Sequence, residues 1–310
     1  MTLGGAPLRA SPSVTTMTNK WVAGARPRTL PAAVVPVLVG TACAVGERPG
    51  GLVWWRAGTA LVVALALQVA TNYANDYSDG KRGTDDPGQR VGPPRLVGWG
   101  LASPEAVKRA AILSFGVAGV AGLALAVAVG PQLIVVGAAS MAAGWFYTGG
   151  PRPYGYAGFG ELFVFLFFGV VATVGSSYVQ VESLTGLAFG AAVPVGLLAT
   201  ALLVVNNLRD IPGDTVVGKR TLAVRLGDHR TRLLYVGLLA VAMVSVPLVC
   251  GLGGRPTGAI ALGAILLAQR PVVQVLGGAK GPALIPVLGA TGRVQLVFGL
   301  LFAAGLSIRP

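Results

Sequence analysis

The chain has 310 residues, of which 54% are hydrophobic and only 11% are charged, and its mean hydropathy is +0.71. Soluble globular domains carry about 25% charged residues, so this composition excludes an ordinary soluble fold and indicates a protein that spans a lipid bilayer. The formal net charge of +13 would suit nucleic acid, but the positive residues lie in short loops beside apolar runs and form no nucleic-acid motif. We therefore expect membrane lipid as a partner and no nucleic acid.

The predicted elements begin after a short polar tail. Residues 1–20 are small, polar and proline-bearing, which favours a disordered tail over a cleaved signal peptide. Residues 21–310 follow as one transmembrane domain, in which apolar runs long enough to cross ~30 Å of hydrocarbon recur. These runs predict an all-α integral membrane fold of nine spans, at about residues 29–46, 52–75, 106–129, 131–147, 159–179, 186–208, 231–250, 256–277 and 289–307.

The lysines and arginines are distributed unevenly between the two ends of these spans. With the N-terminus in the cytoplasm, twenty of them lie on the cytoplasmic side and four on the far side, namely Arg48, Arg56, Arg255 and Arg309. Because Lys and Arg collect in cytoplasmic loops, this count predicts a cell-membrane protein whose N-terminus and loops after the second, fourth and sixth spans are cytoplasmic. An odd number of spans then leaves the C-terminus outside.

Residues commonly used for disulfides, zinc sites and nucleophilic catalysis are scarce. Cys43 and Cys250 lie inside separate apolar runs, and His229 is the sole histidine. The sequence therefore offers no disulfide or zinc framework and no Ser–His or Cys–His catalytic pair.

The acidic residues are few but concentrated. Of the eleven in the chain, six fall in two places: Asp76, Asp79, Asp85 and Asp86 after the second span, and Asp210 and Asp214 after the sixth. Asn72, Asp76 and Asp79 are spaced so that a helix would stack them on one face.

The second acidic group contains a proline. Asn206, Asp210 and Asp214 repeat every four residues, but Pro212 and Gly213 lie between the two aspartates. Because a proline inside a helix removes a hydrogen bond and kinks it, we expect Asp210 at a helix end and Asp214 in the following turn.

Two carboxylate groups that face one space repel each other and are costly to desolvate. Mg²⁺ solves this problem, since it binds a few carboxylates together with phosphate oxygens of a substrate. Nearby cations would supply further charge for a diphosphate, namely Lys81, Arg82, Arg209, Lys219 and Arg220. The alternative is that these acids cap helices or pair in loops, which explains either group alone more readily than both.

Several long motifs resemble those of the UbiA prenyltransferase family. NYANDYSDGKRGTDD, residues 72–86, resembles the first aspartate motif, and NNLRDIPGDTVVGKRTLAVRLG, residues 206–227, the second. YTGGPRPYGYAGFGELFVFLFFG, residues 147–169, is similar to the central signature of the dihydroxynaphthoate branch. WVAGARPRTLPAAVVPVLVG and ALIPVLGATGRVQLVFGLLFA, near the two ends, also match, so the resemblance runs from about Lys20 to the C-terminus.

The resemblance implies a nine-helix bundle with a central cavity that opens near the cytoplasmic side. It implies that Mg²⁺ is held by Asp76, Asp79, Asp210 and Asp214. Support for the metal or diphosphate would come from Asn72, Asn75, Asp85, Asn206 and Asn207, although Asp85 lies off the usual family spacing, with Gly83 standing where an acid is expected. Contacts to the diphosphate are expected from Lys81, Arg82, Tyr147, Arg152, Lys219 and Arg220.

The same resemblance implies the reaction. A polyprenyl group from polyprenyl diphosphate would replace the carboxylate of 1,4-dihydroxy-2-naphthoate, releasing CO₂ and diphosphate and giving demethylmenaquinone for menaquinone biosynthesis. Arg26 and Arg28 would bind the acceptor carboxylate or serve only as membrane-side anchors, and Glu161 would be a polar wall residue or a paired loop acid. Phe163, Phe165, Phe167 and Phe168 would shield an allylic cation, or face lipid or the core instead.

Three other functions compete with this one. Another acceptor, such as 4-hydroxybenzoate or a sugar phosphate, is disfavoured by the forms YTGGPRPYGY and NNLRD. CDP-alcohol phosphotransferases group their aspartates in one motif, whereas Asp79 and Asp210 are far apart in this sequence. An ion-coupled transporter would carry acids along its path, but here the acids lie at helix ends beside cations, which suits phosphate chemistry better.

Overall fold

The computed structural model describes residues 20–85, 92 and 94–309, so the predicted tail up to residue 19 and Asp86 lie outside the described residues. The described chain forms helices and no strands, and the all-α fold class is confirmed. The helices are α1 (Lys20–Ala25), α2 (Pro31–Cys43), α3 (Trp54–Lys81), α4 (Pro104–Val129), α5 (Gln132–Phe146), α6 (Gly160–Val181), α7 (Gly186–Val216), α8 (Leu222–Leu252), α9 (Pro256–Leu276) and α10 (Gly281–Leu306). Lys20, which the sequence assigned to the tail, instead begins α1 and donates a hydrogen bond to the carbonyl of Leu101 at 2.9 Å.

Seven of these helices, α3, α4 and α6 to α10, are long and apolar enough to cross a membrane. The other two predicted spans correspond to α2 and α5, which are apolar but have only 13 and 15 residues. Perpendicular crossing takes about 20 residues, so nine complete crossings stay a prediction.

The outer surface agrees with a lipid environment. On α4, Leu113, Val120 and Val127 are 71%, 75% and 83% exposed, and Val244 and Leu266 on other helices are exposed to a similar degree. Apolar side chains in such numbers would cause aggregation in water, whereas in a bilayer they contact lipid tails. The chain is therefore a multi-pass membrane protein.

α7 lies at the centre of the bundle and is the most buried of the long helices. It packs against α2, α6, α8 and α10, and its buried side chains include Val195, Leu198 and Val205. At Gly169 and Gly196 the backbones of α6 and α7 approach so closely that a Cβ built on Gly169 would lie 2.6 Å from the Cα of Gly196. Small residues at this crossing let the two helices touch, as is common in membrane bundles.

The expected break at Pro212 is wrong. α7 continues through Pro212 to Val216, so Asp210 and Asp214 both lie on this helix, one turn apart and on the same side. A proline removes only one backbone hydrogen bond, and in a packed membrane bundle the neighbouring turns keep the segment helical.

Candidate active site

A large cavity of about 780 Å³ runs through the bundle, enclosed by α1 to α7 and α10. Its lining changes in character along α3, from Asp79, Asp76 and Asn72 near the C-terminal end of the helix to Val63 and Ala60 nearer its start. At 1.5 Å per residue, the lining part of α3 extends for about 28 Å. The cavity therefore has a polar end and a long apolar end, where Leu125, Leu133 and Val179 complete the wall.

The first acidic group lies on α3 at the polar end. Both carboxylate oxygens of Asp76 accept backbone hydrogen bonds at 3.0 Å, one from Leu96 and one from Val97, so Asp76 anchors the loop that precedes α4. Asp79, one turn on, accepts a hydrogen bond of 2.6 Å from the Tyr156 hydroxyl and lies 3.2 Å from Nζ of Lys219. The helical spacing predicted for these residues places both carboxylates on the cavity wall.

Polar residues around this group hold the surrounding segments together. The Asn72 side chain donates to the carbonyl of Ala25 at 2.9 Å, which ties α3 to the end of α1. Asn75 accepts a hydrogen bond of 2.8 Å from the Thr148 hydroxyl. Asp85 is almost fully buried, lines the cavity and lies 3.6 Å from the guanidinium of Arg95.

The second acidic group lies on the last turns of α7. The buried guanidinium of Arg209 contacts the Asp210 carboxylate at 2.6 and 2.7 Å and donates to the side chain of Asn206 at 3.0 Å. Asp214 lines the cavity, and its carbonyl accepts the backbone N–H of Lys219 at 2.8 Å. α7 thus presents a carboxylate pair together with its own cation.

Lys219 connects the two acidic groups. Burial alone lowers the pKa of its ammonium, but the negative charges of Asp79, Asp214 and Asp85 with the Tyr156 hydroxyl outweigh burial and raise that pKa above 10.5. Lys219 is therefore a cation at neutral pH, placed between carboxylates that belong to different helices.

Three tyrosines of the segment between α5 and α6 line the cavity at its polar end. Burial is the main reason why the pKa values of Tyr147, Tyr154 and Tyr156 are raised, so all three are neutral hydrogen-bond donors at physiological pH. Tyr154 stacks on Phe163 at 4.0 Å between ring centroids, and Phe163 is followed by Phe167 at 6.0 Å. This row of rings continues into the apolar part of the cavity.

Three of the four phenylalanines predicted to form an aromatic wall lie on the cavity. Phe163, Phe167 and Phe168 line the cavity, whereas Phe165 packs beside Gly196 of α7. The residues 165–171 form a π-helical turn inside α6, which changes the angular spacing of the side chains relative to an α-helix. That change is not visible in the sequence pattern.

Several predicted diphosphate contacts lie away from the cavity. Lys81 is exposed and lies over the ring of Tyr77, because two residues along a helix turn its side chain about 200° from Asp79. Arg82, just past the end of α3, donates to the carbonyls of Thr148 and Gly150.

Arg152 and Arg220 lie at a second, outer pocket. Residues 219–221 lie between α7 and α8 and belong to neither helix. Lys219 and Thr221 line the main cavity, whereas Arg220 lines the outer pocket.

The remaining predicted residues fall near or on the cavity. Arg28, Asn206 and Asn207 line it, whereas Glu161 lies behind the wall and accepts a hydrogen bond of 2.9 Å from Asn207. Arg26, predicted together with Arg28, also lines the cavity. Gln68, Arg95 and Tyr156 line it as well, and the sequence did not single these three out as site residues. The YGY sequence of the central motif is the one signal that could have indicated Tyr156.

The donor atoms fit a magnesium ion. Among the described residues, no three side chains of His, Cys, Asp or Glu lie close enough to form a complete metal site by themselves. The four aspartates nevertheless line one cavity, and hard carboxylate oxygens with open space for phosphate oxygens and water are what Mg²⁺ requires. Asp76, Asp79, Asp210 and Asp214 are therefore suitable ligands for an ion that arrives together with a phosphorylated substrate.

A helical membrane bundle with an internal cavity, charged at one end and apolar along its length, defines a membrane enzyme suited to an amphipathic phosphorylated substrate. The family model described as UbiA prenyltransferase family matches residues 33–281. The chain belongs to this family.

Individual relatives agree with this assignment. The chain is 51% identical over 288 residues to the 1,4-dihydroxy-2-naphthoate octaprenyltransferase of Mycobacterium tuberculosis, covering 93% of this chain and 97% of the relative. The protein of the same name from Escherichia coli is 36% identical over 304 residues, covering 93% and 95%.

Solved structures share the fold. A UbiA homolog from Aeropyrum pernix K1 superposes with a TM-score of 0.66 at 14% identity, covering 93% of this chain and 98% of the other. A UbiA homolog from Archaeoglobus fulgidus bound to DMAPP and Mg²⁺ has a TM-score of 0.61 at 16% identity, covering 94% and 100%.

Proposed function

We propose that this protein transfers a polyprenyl group from polyprenyl diphosphate to 1,4-dihydroxy-2-naphthoate, with loss of CO₂ and diphosphate, in menaquinone biosynthesis. The single observation that carries the proposal is the meeting of Asp79, Asp214 and Lys219 at the polar end of a cavity that continues as an apolar channel. This arrangement suits a diphosphate joined to a long hydrocarbon chain. The shared name of the similar bacterial proteins supports the naphthoate acceptor.

In the proposed site, Asp76, Asp79, Asp210 and Asp214 hold Mg²⁺, with support from Asn72, Asn75, Asp85, Asn206 and Asn207. When bound, the ion neutralises negative charge on the departing diphosphate. The Archaeoglobus fulgidus homolog, which shares the fold and is bound to DMAPP and Mg²⁺, supports this cofactor. Lys219 binds the diphosphate directly as a fixed cation.

The reaction begins when the bond between the allylic carbon and the diphosphate oxygen breaks and its electron pair leaves with the diphosphate. Lys219 stabilises the charge that develops on the leaving group. Tyr147, Tyr154 and Phe163 exclude water from the allylic cation, and their ring faces stabilise its positive charge.

The naphthalene ring then attacks the cation through the carbon that bears the carboxylate. Loss of CO₂ returns an electron pair to the ring, so the balanced product is the quinol form of demethylmenaquinone. Arg28 lines the cavity and is the cation we assign to the acceptor carboxylate before that bond breaks.

We also propose the orientation of the protein in the cell membrane. The polar end of the cavity, the N-terminus and the loops after α3, α5 and α7 face the cytoplasm, and the C-terminus lies outside. The excess of Lys and Arg at this end supports the orientation.

An assay of the purified protein in detergent tests the reaction. We expect transfer from a labelled polyprenyl diphosphate to 1,4-dihydroxy-2-naphthoate in preference to 4-hydroxybenzoate, with a carboxyl label on the acceptor released as CO₂ in step with transfer. EDTA should abolish turnover, and Mg²⁺ should restore it. Retention of the carboxyl label or preference for 4-hydroxybenzoate would overturn the acceptor, whereas full activity in EDTA would overturn only the metal.

A further inference from the structure

A second pocket, of about 350 Å³, lies at the surface beside the active site. We call it the outer pocket, and its wall consists of Arg152, Pro153, Tyr156, Ala157, Gly218, Arg220 and Arg225. These described wall residues include three guanidinium groups and no acid. This excess of positive charge in a small concave space has no role in the proposed reaction.

The backbone around the outer pocket is held in place by hydrogen bonds between two segments. The N–H of Arg220 donates to the carbonyl of Tyr156 at 3.0 Å. The guanidinium of Arg225 donates to the carbonyls of Arg220 and Ala157 at 3.0 and 2.9 Å. Arg225 therefore joins the two walls of the pocket.

Unlike Arg225, Arg152 and Arg220 have side chains without polar partners among the described residues. Within the described part of the chain, neither side chain forms an ion pair with a carboxylate or donates a hydrogen bond to another residue, and both are exposed. Two unpaired guanidinium groups therefore line one pocket, and the hydrogen bonds of Arg225 hold the walls of that pocket together. Planar guanidinium forks match the geometry of phosphate oxygens and bind them with two parallel hydrogen bonds.

Tyr156 connects the outer pocket with the active site. It contributes to the walls of both cavities, and its hydroxyl donates to Asp79. Its ring lies 4.6 Å from Nζ of Lys219 and 5.4 Å from the guanidinium carbon of Arg82. The two spaces thus share this side chain as a common wall.

We propose that the outer pocket is a second anion site, which binds a phosphate or diphosphate group through Arg152, Arg220 and Arg225. Two sources can supply this group. One is the headgroup of an anionic phospholipid, and the other is a free diphosphate, such as the one released by the proposed reaction.

Binding measurements without acceptor or polyprenyl substrate test the site independently of the enzymatic activity. The protein is the full chain in nanodiscs, as wild type, as the double variant Arg152→Gln/Arg220→Gln and as the matched control Arg109→Gln/Arg230→Gln, which removes two exposed charges that do not line the outer pocket. EDTA is present, so that magnesium-dependent binding in the main cavity does not contribute. The single variant Arg152→Gln is included in case the double variant does not fold.

The first arm titrates pyrophosphate into nanodiscs of phosphatidylcholine at low ionic strength and follows the thermal shift. The second arm uses nanodiscs that contain phosphatidylglycerol and counts retained lipids by native mass spectrometry. We expect the double variant to weaken binding by about tenfold or more in at least one arm, since two charge-assisted contacts are lost, while the control binds as wild type.

Loss of pyrophosphate binding alone assigns the outer pocket to a free diphosphate, and loss of phosphatidylglycerol alone assigns it to a lipid headgroup. If the folded Arg152 variants match the control in both arms, the proposed site is wrong. Neither result bears on the acceptor assay, so the two proposals fail separately.

Discussion

At the scale of single residues, the direction of a side chain decides which cations can serve the site. Lys219 and Arg220 are adjacent and both basic, yet Lys219 contacts Asp79 in the main cavity while Arg220 lines the outer pocket. Similarly, Asp79 faces the cavity, and Lys81, two residues along the same helix, does not. Charge and proximity in sequence are therefore insufficient to identify a diphosphate ligand.

Replacing the central cation tests its role. Lys219→Gln should lower kcat/KM for polyprenyl diphosphate by about 10²-fold or more, because a charge that stabilises the leaving diphosphate is removed. Because the pKa of Lys219 is raised above its ordinary value, the ammonium is charged at neutral pH, and its contribution is lost only as the pH rises through that raised pKa.

Steady-state kinetics across about pH 6 to 10 measures both effects. Wild type should show no loss of activity attributable to Lys219 in this range, and Lys219→Arg should retain more activity than Lys219→Gln. Arg109→Gln, an exposed change on α4, serves as the control. Equal activity of Lys219→Gln and the control would contradict the proposed role.

At the scale of elements, α6 and α7 act together because their backbones touch. Gly169 of α6 and Gly196 of α7 leave no space for a side chain at the crossing, and the π-helical turn of α6 lies directly at this point. The same turn carries Phe167 and Phe168 on the cavity wall. Packing at the crossing therefore positions the aromatic wall relative to the acidic end of α7.

A larger side chain at this crossing should separate the two helices. We expect Gly169→Val to lower the free energy of unfolding by about 1–3 kcal/mol through overpacking and to reduce transfer activity as well. The thermal midpoint of the detergent-solubilised protein measures the first effect.

Gly237→Ala on α8 is the matched control, because a Cβ there meets no atom within 4 Å. It should leave the midpoint unchanged or slightly raised, since Ala is the better helix former. A Gly169→Val protein as stable as this control would show that the crossing is not tight.

At the scale of the whole molecule, the four arginines predicted for the far side all lie at one end of the bundle. Arg48 and Arg56 pair with Glu182 at 3.7 and 2.7 Å, and Arg255 and Arg309 pair with Glu47 at 3.0 and 2.6 Å. Two ion-pair clusters therefore join distant loops at the end of the bundle opposite the polar end of the cavity. Their position at this end places the four arginines away from the basic residues predicted for the cytoplasmic side.

Cysteine labelling in intact cells tests the orientation. In a background without Cys43 and Cys250, a cysteine at exposed Val216, beside the polar end, should react with an impermeant reagent only after permeabilisation. A cysteine at exposed Ser183, at the opposite end, should react from outside. The reverse pattern would invert the proposed orientation.

The sequence by itself determined the membrane setting, the positions of the apolar helices and the two acidic groups, because hydrophobic periodicity and short motifs are local properties of the chain. It also identified the family, and it predicted that Asp76 and Asp79 share a helix face. It failed at Pro212, where a local rule suggested a break that α7 does not have.

Only the tertiary structure decided which side chains meet. The hydrogen bond from Tyr156 to Asp79 and the ion pair from Lys219 to Asp79 join positions 77 and 140 residues apart, and no local pattern encodes such contacts. The outer pocket likewise arises from two segments brought together by the packing of α5 to α8. Their juxtaposition depends on how whole helices pack, which is a property of the complete bundle rather than of any one segment.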